Sequence, residues 1–160
     1  MYFLKRFAFE LQAAERREEM STRTAELSKA ILTNVDWIQF KGELTRDGLV
    51  AEAGEMIGFS HQSYQEFLCA RELLGRPDAT ELNHIADQYI SGSDWWTEVL
   101  RFYVDLSGKT AEIEDWLTRR LSACRKIAGT ISHQGMANRV LSILQHMQAT
   151  FPFVKVTPKL

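Results

Sequence analysis

Apolar positions near the start of the chain fall at helical spacing: Phe3, Leu4, Phe7, Ala8, Leu11 and Ala14 form one stripe. The charged run from Glu15 to Glu19 ends it, and no capping signal precedes Tyr2, as expected of an excised fragment. Ser21 or Thr22 can cap a second helix carrying Ala25, Leu27, Ala30, Ile31 and Leu32, with its end near Asn34. A third segment, Asp36 to Leu44, presents Trp37, Ile38, Phe40 and Leu44 before Asp47-Gly48 turns the chain. The period then changes. Leu49 and Val50, a turn from Glu52 to Glu55 around Gly54, and Ile57, Gly58 and Phe59 predict a small β-hairpin. Ser60 stands at the expected N-cap of the next helix, with Ser63 in place of the usual capping-box Glu or Gln. Tyr64, Phe67, Leu68, Arg71 and Leu74 follow at helical spacing, and His61 falls in the first turn.

Gly75, Pro77 and Asp78 break this pattern and predict a domain boundary. Beyond it the signals are helical. Asp78 caps Leu82, Ile85, Ala86, Tyr89 and Ile90, and Ser91-Gly92-Ser93 ends that helix. Asp94 caps a helix with Trp95, Trp96, Val99, Leu100, Tyr103 and Leu106, which Gly108 closes. Thr110 caps Ile113, Trp116, Leu117, Leu121 and Cys124. Gly129 separates these from Ile131, Met136, Val140, Leu141, Leu144 and Met147, and the tail from Phe151 to Leu160 reads as extended or frayed. The predicted class is mainly α. Residues 1–75 form a winged helix of three to four helices with a small β-hairpin, and residues 76–160 an antiparallel helical extension of α-hairpins.

Composition narrows the chemistry. The chain has 160 residues, 45% of them hydrophobic, enough for a real core, and its formal charge of -2 carries no bias toward polyanions. Cys69 and Cys124 sit among apolar neighbours and read as buried thiols of a reducing cytosol. Lys5 and Arg6 interrupt the apolar start, so no signal peptide is read there, and no run reaches the ~18 apolar residues of a membrane span. A cytoplasmic location without membrane contact is expected.

Ser107-Gly108-Lys109-Thr110 matches the end of a phosphate-binding loop, but the glycine required five residues before Gly108 is Tyr103. A helix C-cap followed by an N-cap explains the same four residues. His61, His84, His133 and His146 have no His or Cys at ligand spacing, so no metal site is read. His84 has Glu81 and Asp87 one turn to either side, a pattern that a solvated polar face explains. No G-x-S-x-G elbow is present, and no enzyme is expected in this chain. A DNA-binding regulator is one alternative, yet the helix from Ser21 to Asn34 offers only Arg23 and Lys29 against Glu26, and the hairpin carries Glu52 and Glu55. A helical scaffold that binds a protein partner is the other.

Gly48-Leu49-Val50, Phe59-Ser60-His61 and Tyr64-Gln65-Glu66-Phe67-Leu68-Cys69-Ala70 together resemble the segment that closes the winged-helix domain of NACHT-type STAND NTPases, the NLR-like signalling class. Trp95-Trp96-Thr97-Glu98-Val99-Leu100 is similar to a helix that often begins the superhelical region beyond it. The resemblance implies that His61 reaches toward the β-phosphate of ADP and holds a resting state, with Gln65, Glu66, Phe67 and Ala70 serving packing and capping. The phosphate loop, the Mg²⁺-holding acidic strand and the sensor arginine of the family have no counterpart here. The chain therefore carries no cofactor of its own, whereas a full-length parent would bind ADP or ATP with Mg²⁺. The implied role is regulatory, in immunity or antiviral defence. Expected partners are the parent's nucleotide-binding module and a protein partner or oligomer on activation, with no DNA.

Overall fold

The computed structural model describes residues 1–127 and 132–150. Among them are eight helices and three short strands, in the order α1 (Tyr2–Ala13), β1 (Glu18–Met20), α2 (Ser21–Ile31), α3 (Trp37–Arg46), β2 (Val50–Ala53), β3 (Met56–Phe59), α4 (Gln62–Leu74), α5 (Thr80–Ile90), α6 (Thr97–Ser107), α7 (Thr110–Ile127) and α8 (His133–Thr150). The mainly helical class is as expected. The Gly129 break, the placement of Ile131 and the tail from Phe151 to Leu160 lie outside the described residues. The chain divides into two compact units, Met1–Glu72 and Leu73–Leu160, so the division falls inside the continuous helix α4 instead of after Gly75.

In the first unit α1 buries Phe3, Leu4, Phe7, Ala8 and Leu11, as the stripe predicts, but also Phe9 and Gln12. Phe3 stacks on Phe7 with ring centroids 5.8 Å apart and meets the edges of Trp37 and Phe40, while Phe7 packs on Phe59. After α1 the charged run does more than end a helix. Glu15 takes a left-handed φ of 53°, the chain reverses, and Glu18–Met20 adds to the hairpin as an antiparallel strand. The sheet order is β1-β3-β2, with Glu18 opposite Gly58 and Val50 opposite Phe59. The hairpin turn is tighter than expected. Glu52 and Ala53 belong to β2, and Gly54 takes φ 63°, the sign that a two-residue hairpin turn requires at a glycine in its first central position.

Several predicted caps shift by a residue. Ser21 is already helical, with Met20 before it and no side-chain cap, and α2 ends at Ile31, while Asn34 takes φ 60° in the following loop. The buried face of α2 is Thr24 and Ser28, not the expected apolar row, and Thr24 satisfies its hydroxyl on the Met20 carbonyl at 3.0 Å. Asp36 caps α3 as a short acceptor should, taking Ile38 N–H at 2.8 Å and Gln39 N–H at 3.2 Å. Ile38 then points to solvent at 77% exposure, and Leu44 is the buried residue of α3.

The second unit is built from α5 to α8 together with the end of α4. Helices α7 and α8 pack on each other and on α5, and α6 packs on both. Ile85, Ile90, Val99, Leu100, Leu117, Leu121, Val140, Ile143, Leu144 and Met147 fill the core. Asp78 accepts from Thr80 N–H at 2.9 Å and anchors the start of α5. Trp95 and Trp96 precede α6, which begins at Thr97, so Asp94 instead accepts Thr97 N–H with its carbonyl at 3.1 Å. Trp96 is the buried member of the pair. Gly108 closes α6 in the left-handed conformation, and Lys109, not Thr110, stands before α7. Arg139 crosses from α8 onto the Tyr89 ring and donates to the Tyr89 and Ser93 carbonyls, closing the end of α5. Arg120 and Asp87 pair between α7 and α5, and His146 Nε2 lies 3.0 Å from both Asp105 oxygens between α8 and α6.

Candidate functional site

The segment from Phe59 to Ala70 is where sheet, bend and helix meet. The Ser60 N–H donates to the Leu49 carbonyl at 3.1 Å, which closes the base of the hairpin. Ser60 and His61 form a bend, and α4 begins at Gln62. His61 is therefore the residue before the helix and not a member of its first turn. Its carbonyl accepts the Tyr64 N–H at 3.0 Å, and its ring meets the Tyr64 ring edge-on, 5.3 Å away at 81°. Both side chains are exposed, Tyr64 at 39%. A helix start of this kind leaves N–H groups without intrahelical partners, and an imidazole beside them can add a donor or, when protonated, a charge.

The other side of the same helical turn faces inward. Gln65 Nε2 donates to Gln12 Oε1 at 2.8 Å and to the Arg16 carbonyl at 2.9 Å. Glu66 Oε1 accepts from Gln62 Nε2 at 2.6 Å and from the Arg17 guanidinium at 3.3 Å. Gln12, Gln65 and Glu66 are all buried, so these bonds offset the cost of removing polar groups from water. Cys69 and Ala70 have no exposed surface, and Arg71 lies over the Phe67 ring at 6.0 Å. The motif thus divides by side: His61 and Tyr64 outward, Gln65, Glu66, Leu68, Cys69 and Ala70 inward. Gln12 and Arg17, which complete the inner network, had no signal of their own beyond a glutamine in an apolar stripe.

Other places that could carry chemistry are already engaged. Lys109 pairs with Glu112 at 3.3 Å, and helix α6 runs where a phosphate loop would need a strand. Glu81 pairs with Arg76 and Asp87 with Arg120, so the residues around His84 do not converge. Burial and the nearby Asp87 carboxylate push the Cys124 thiol up, which leaves it a poor nucleophile. No group of three His, Cys, Asp or Glu side chains among the described residues is placed to hold a metal ion. A cavity of about 410 Å³ lies along α1 and α2, where Arg16 and Arg23 share Glu19 above Phe7, Leu11 and Leu27. A second, of about 370 Å³, lies in the other unit against Tyr103, Trp116, Leu82 and Ile113. No helix among the described residues is long and apolar enough to cross a membrane.

No family model matches the chain, and neither the curated proteins nor the solved structures yield a match.

Proposed function

We propose that the first unit is a winged helix, and that the chain is a non-catalytic regulatory segment of a NACHT-type, NLR-like signalling NTPase. In this reading it holds the ADP-bound resting state of a nucleotide-binding module and links that module to a sensor region, in a cytoplasmic immune or antiviral pathway. The observation that carries the reading is the divided motif. His61 stands exposed where the hairpin meets α4, while Gln65 and Glu66 of the same motif are turned into the core. The helix–strand–helix–helix–hairpin order with a β1-β3-β2 sheet supports the winged-helix part. Cofactors belong to the partner module: ADP or ATP with Mg²⁺ there, none here. A protein partner or oligomer forms on activation.

The DNA-binding alternative loses ground on charge. On the winged-helix reading, the helix before the wing is α3 and not the Ser21 helix, so Lys41 and Arg46 are its cations. Lys41 Nζ is held by Glu52 of β2 at 2.5 Å, and Arg46 stands beside Asp47 at 3.8 Å. A wing that neutralises its own recognition helix is poorly made for a phosphate backbone.

The test is ADP retention. The chain alone is expected to show no ADP binding by calorimetry, because one imidazole and a helix start supply few of the donors that a diphosphate needs. Combined with its nucleotide-binding module, His61→Ala loses one hydrogen bond to a charged group. That is worth about 1.5–3 kcal/mol, so ADP is held roughly one to two decades more weakly and basal signalling rises. Wild-type ADP retention and basal activity in His61→Ala would make the histidine structural and end this reading.

A further inference from the structure

Among the described residues the His61 ring meets the Tyr64 ring, and the residue beside it is the one tied to the buried network. Gln62 follows His61 directly, and its amide reaches forward one helical turn to Glu66 Oε1 at 2.6 Å. The same carboxylate oxygen accepts from Arg17, which leads into β1. Glu66 is 5% exposed, and a buried carboxylate without donors is costly, so the two contacts stand or fall together. Gln65 pins the next position along the helix to Gln12 and to the Arg16 carbonyl. The bend at Ser60 and His61 is therefore held from β3 on one side and by the Gln62 amide on the other. The edge-on contact of the His61 and Tyr64 rings is set within that frame.

We propose that Glu66, braced by Arg17, is a positioning residue for His61: through Gln62 it holds the bend so that the imidazole stands over Tyr64, ready to meet an anionic ligand. The ligand part of this inference rests on the phosphate-facing reading of His61; the positioning part does not. Gln62 is the arm, Glu66 the anchor and Arg17 the counter-charge. A change at α1 or β1 that withdraws Arg17 would loosen the His61 bend without touching the histidine.

Nuclear magnetic resonance of the full chain reads the positioning directly, through NOEs between the His61 and Tyr64 rings and the ring-current shifts of both. Gln62→Ala removes the arm at an exposed position where unfolding is not expected, and Glu66→Leu removes the anchor. Both are expected to abolish the inter-ring NOEs and move the His61 ring signals toward free-histidine values, while the β2–β3 cross-strand NOEs persist. Glu66→Gln keeps an acceptor for the Gln62 amide and is expected to retain the NOEs; a purely space-filling role predicts retention in both Glu66→Gln and the similarly sized Glu66→Leu, so it is the contrast between the two that reads the hydrogen bond. If Gln62→Ala leaves NOEs and ring shifts at wild-type values, the inference is overturned, whatever Glu66→Leu does to stability. ADP retention with the nucleotide-binding module is read separately. Displaced rings with unchanged retention would overturn the phosphate-facing reading of His61 alone.

Discussion

Gly58 shows how much one residue can decide in this fold. It lies opposite Glu18 in the β1–β3 pair, and a Cβ built there would run into the Arg17 carbonyl closer than real Cβ contacts come. The obstacle is backbone, which cannot swing aside as the end of a long side chain can. Gly58→Ala is therefore expected to push β1 off the sheet and to cost about 1–3 kcal/mol, as overpacking does. The drop should appear in the thermal midpoint, and the Arg17–Glu66 contact, made by the residue whose carbonyl is displaced, should weaken with it. An alanine variant as stable as the parent would mean that β1 adjusts freely. Trp96 gives the opposite case, a large side chain that is almost wholly buried at 4% exposure. Truncation to alanine should cost about 3–5 kcal/mol by chemical denaturation, and a loss below about 1 kcal/mol would contradict its place in the core.

Elements differ in how far the sequence announced them, and the reason is where their stability comes from. The helices of the second unit carry their own signal: Ile85, Ala86, Tyr89 and Ile90 lie on one face of α5 and are all buried. Strand β1 carries none. Glu18-Glu19-Met20 has neither apolar alternation nor β-branched residues, and only pairing with β3 makes it a strand. Helix α2 misleads in the other direction, because it buries Thr24 and Ser28 and leaves Ala30 exposed. The site divides in the same way. The Phe59-Ser60-His61 motif and the helix after it are local, so spacing places His61 at the hairpin–helix junction, though one residue too far into the helix, which starts at Gln62. Gln12 and Arg17 meet their partners across 53 and 49 positions, a distance that periodicity cannot bridge. Helix α3 is the best-announced start in the first unit, since the Asp36 carboxylate takes two N–H groups. Asp36→Ala should lower stability by about 0.5–2 kcal/mol in urea titration, whereas Asp36→Ser should recover most of it. Equal losses for both substitutions would rule out capping as the cause.

At the scale of the whole molecule, α4 continues through the division between Glu72 and Leu73, and Leu73, the first residue of the second unit, is buried. That second unit holds two tyrosines whose phenols are shifted by burial. Burial pushes the Tyr89 phenol up from 10.0, against the moderating charge of Arg139, and pushes Tyr103 up as well, with Glu112 adding to the effect. A phenol that binds its proton more tightly when folded contributes stability that is complete below the unfolded value. That stability is lost as pH rises through the folded one. Cys124, raised from 9.0 by burial and by Asp87, acts with the same sign. Helix content in α5 to α8, followed by hydrogen exchange, is therefore expected to hold to about pH 9 and to fall as pH climbs beyond 10. Tyr103→Phe removes one of these protons without removing the ring that packs on Trp116 at 6.2 Å, so it should move the alkaline midpoint upward. Tyr89→Phe is less clean, because its hydroxyl donates to the Arg139 carbonyl at 3.0 Å and the loss of that bond opposes the gain. An alkaline midpoint that Tyr103→Phe leaves in place would show that the buried phenol at 103 does not govern the transition.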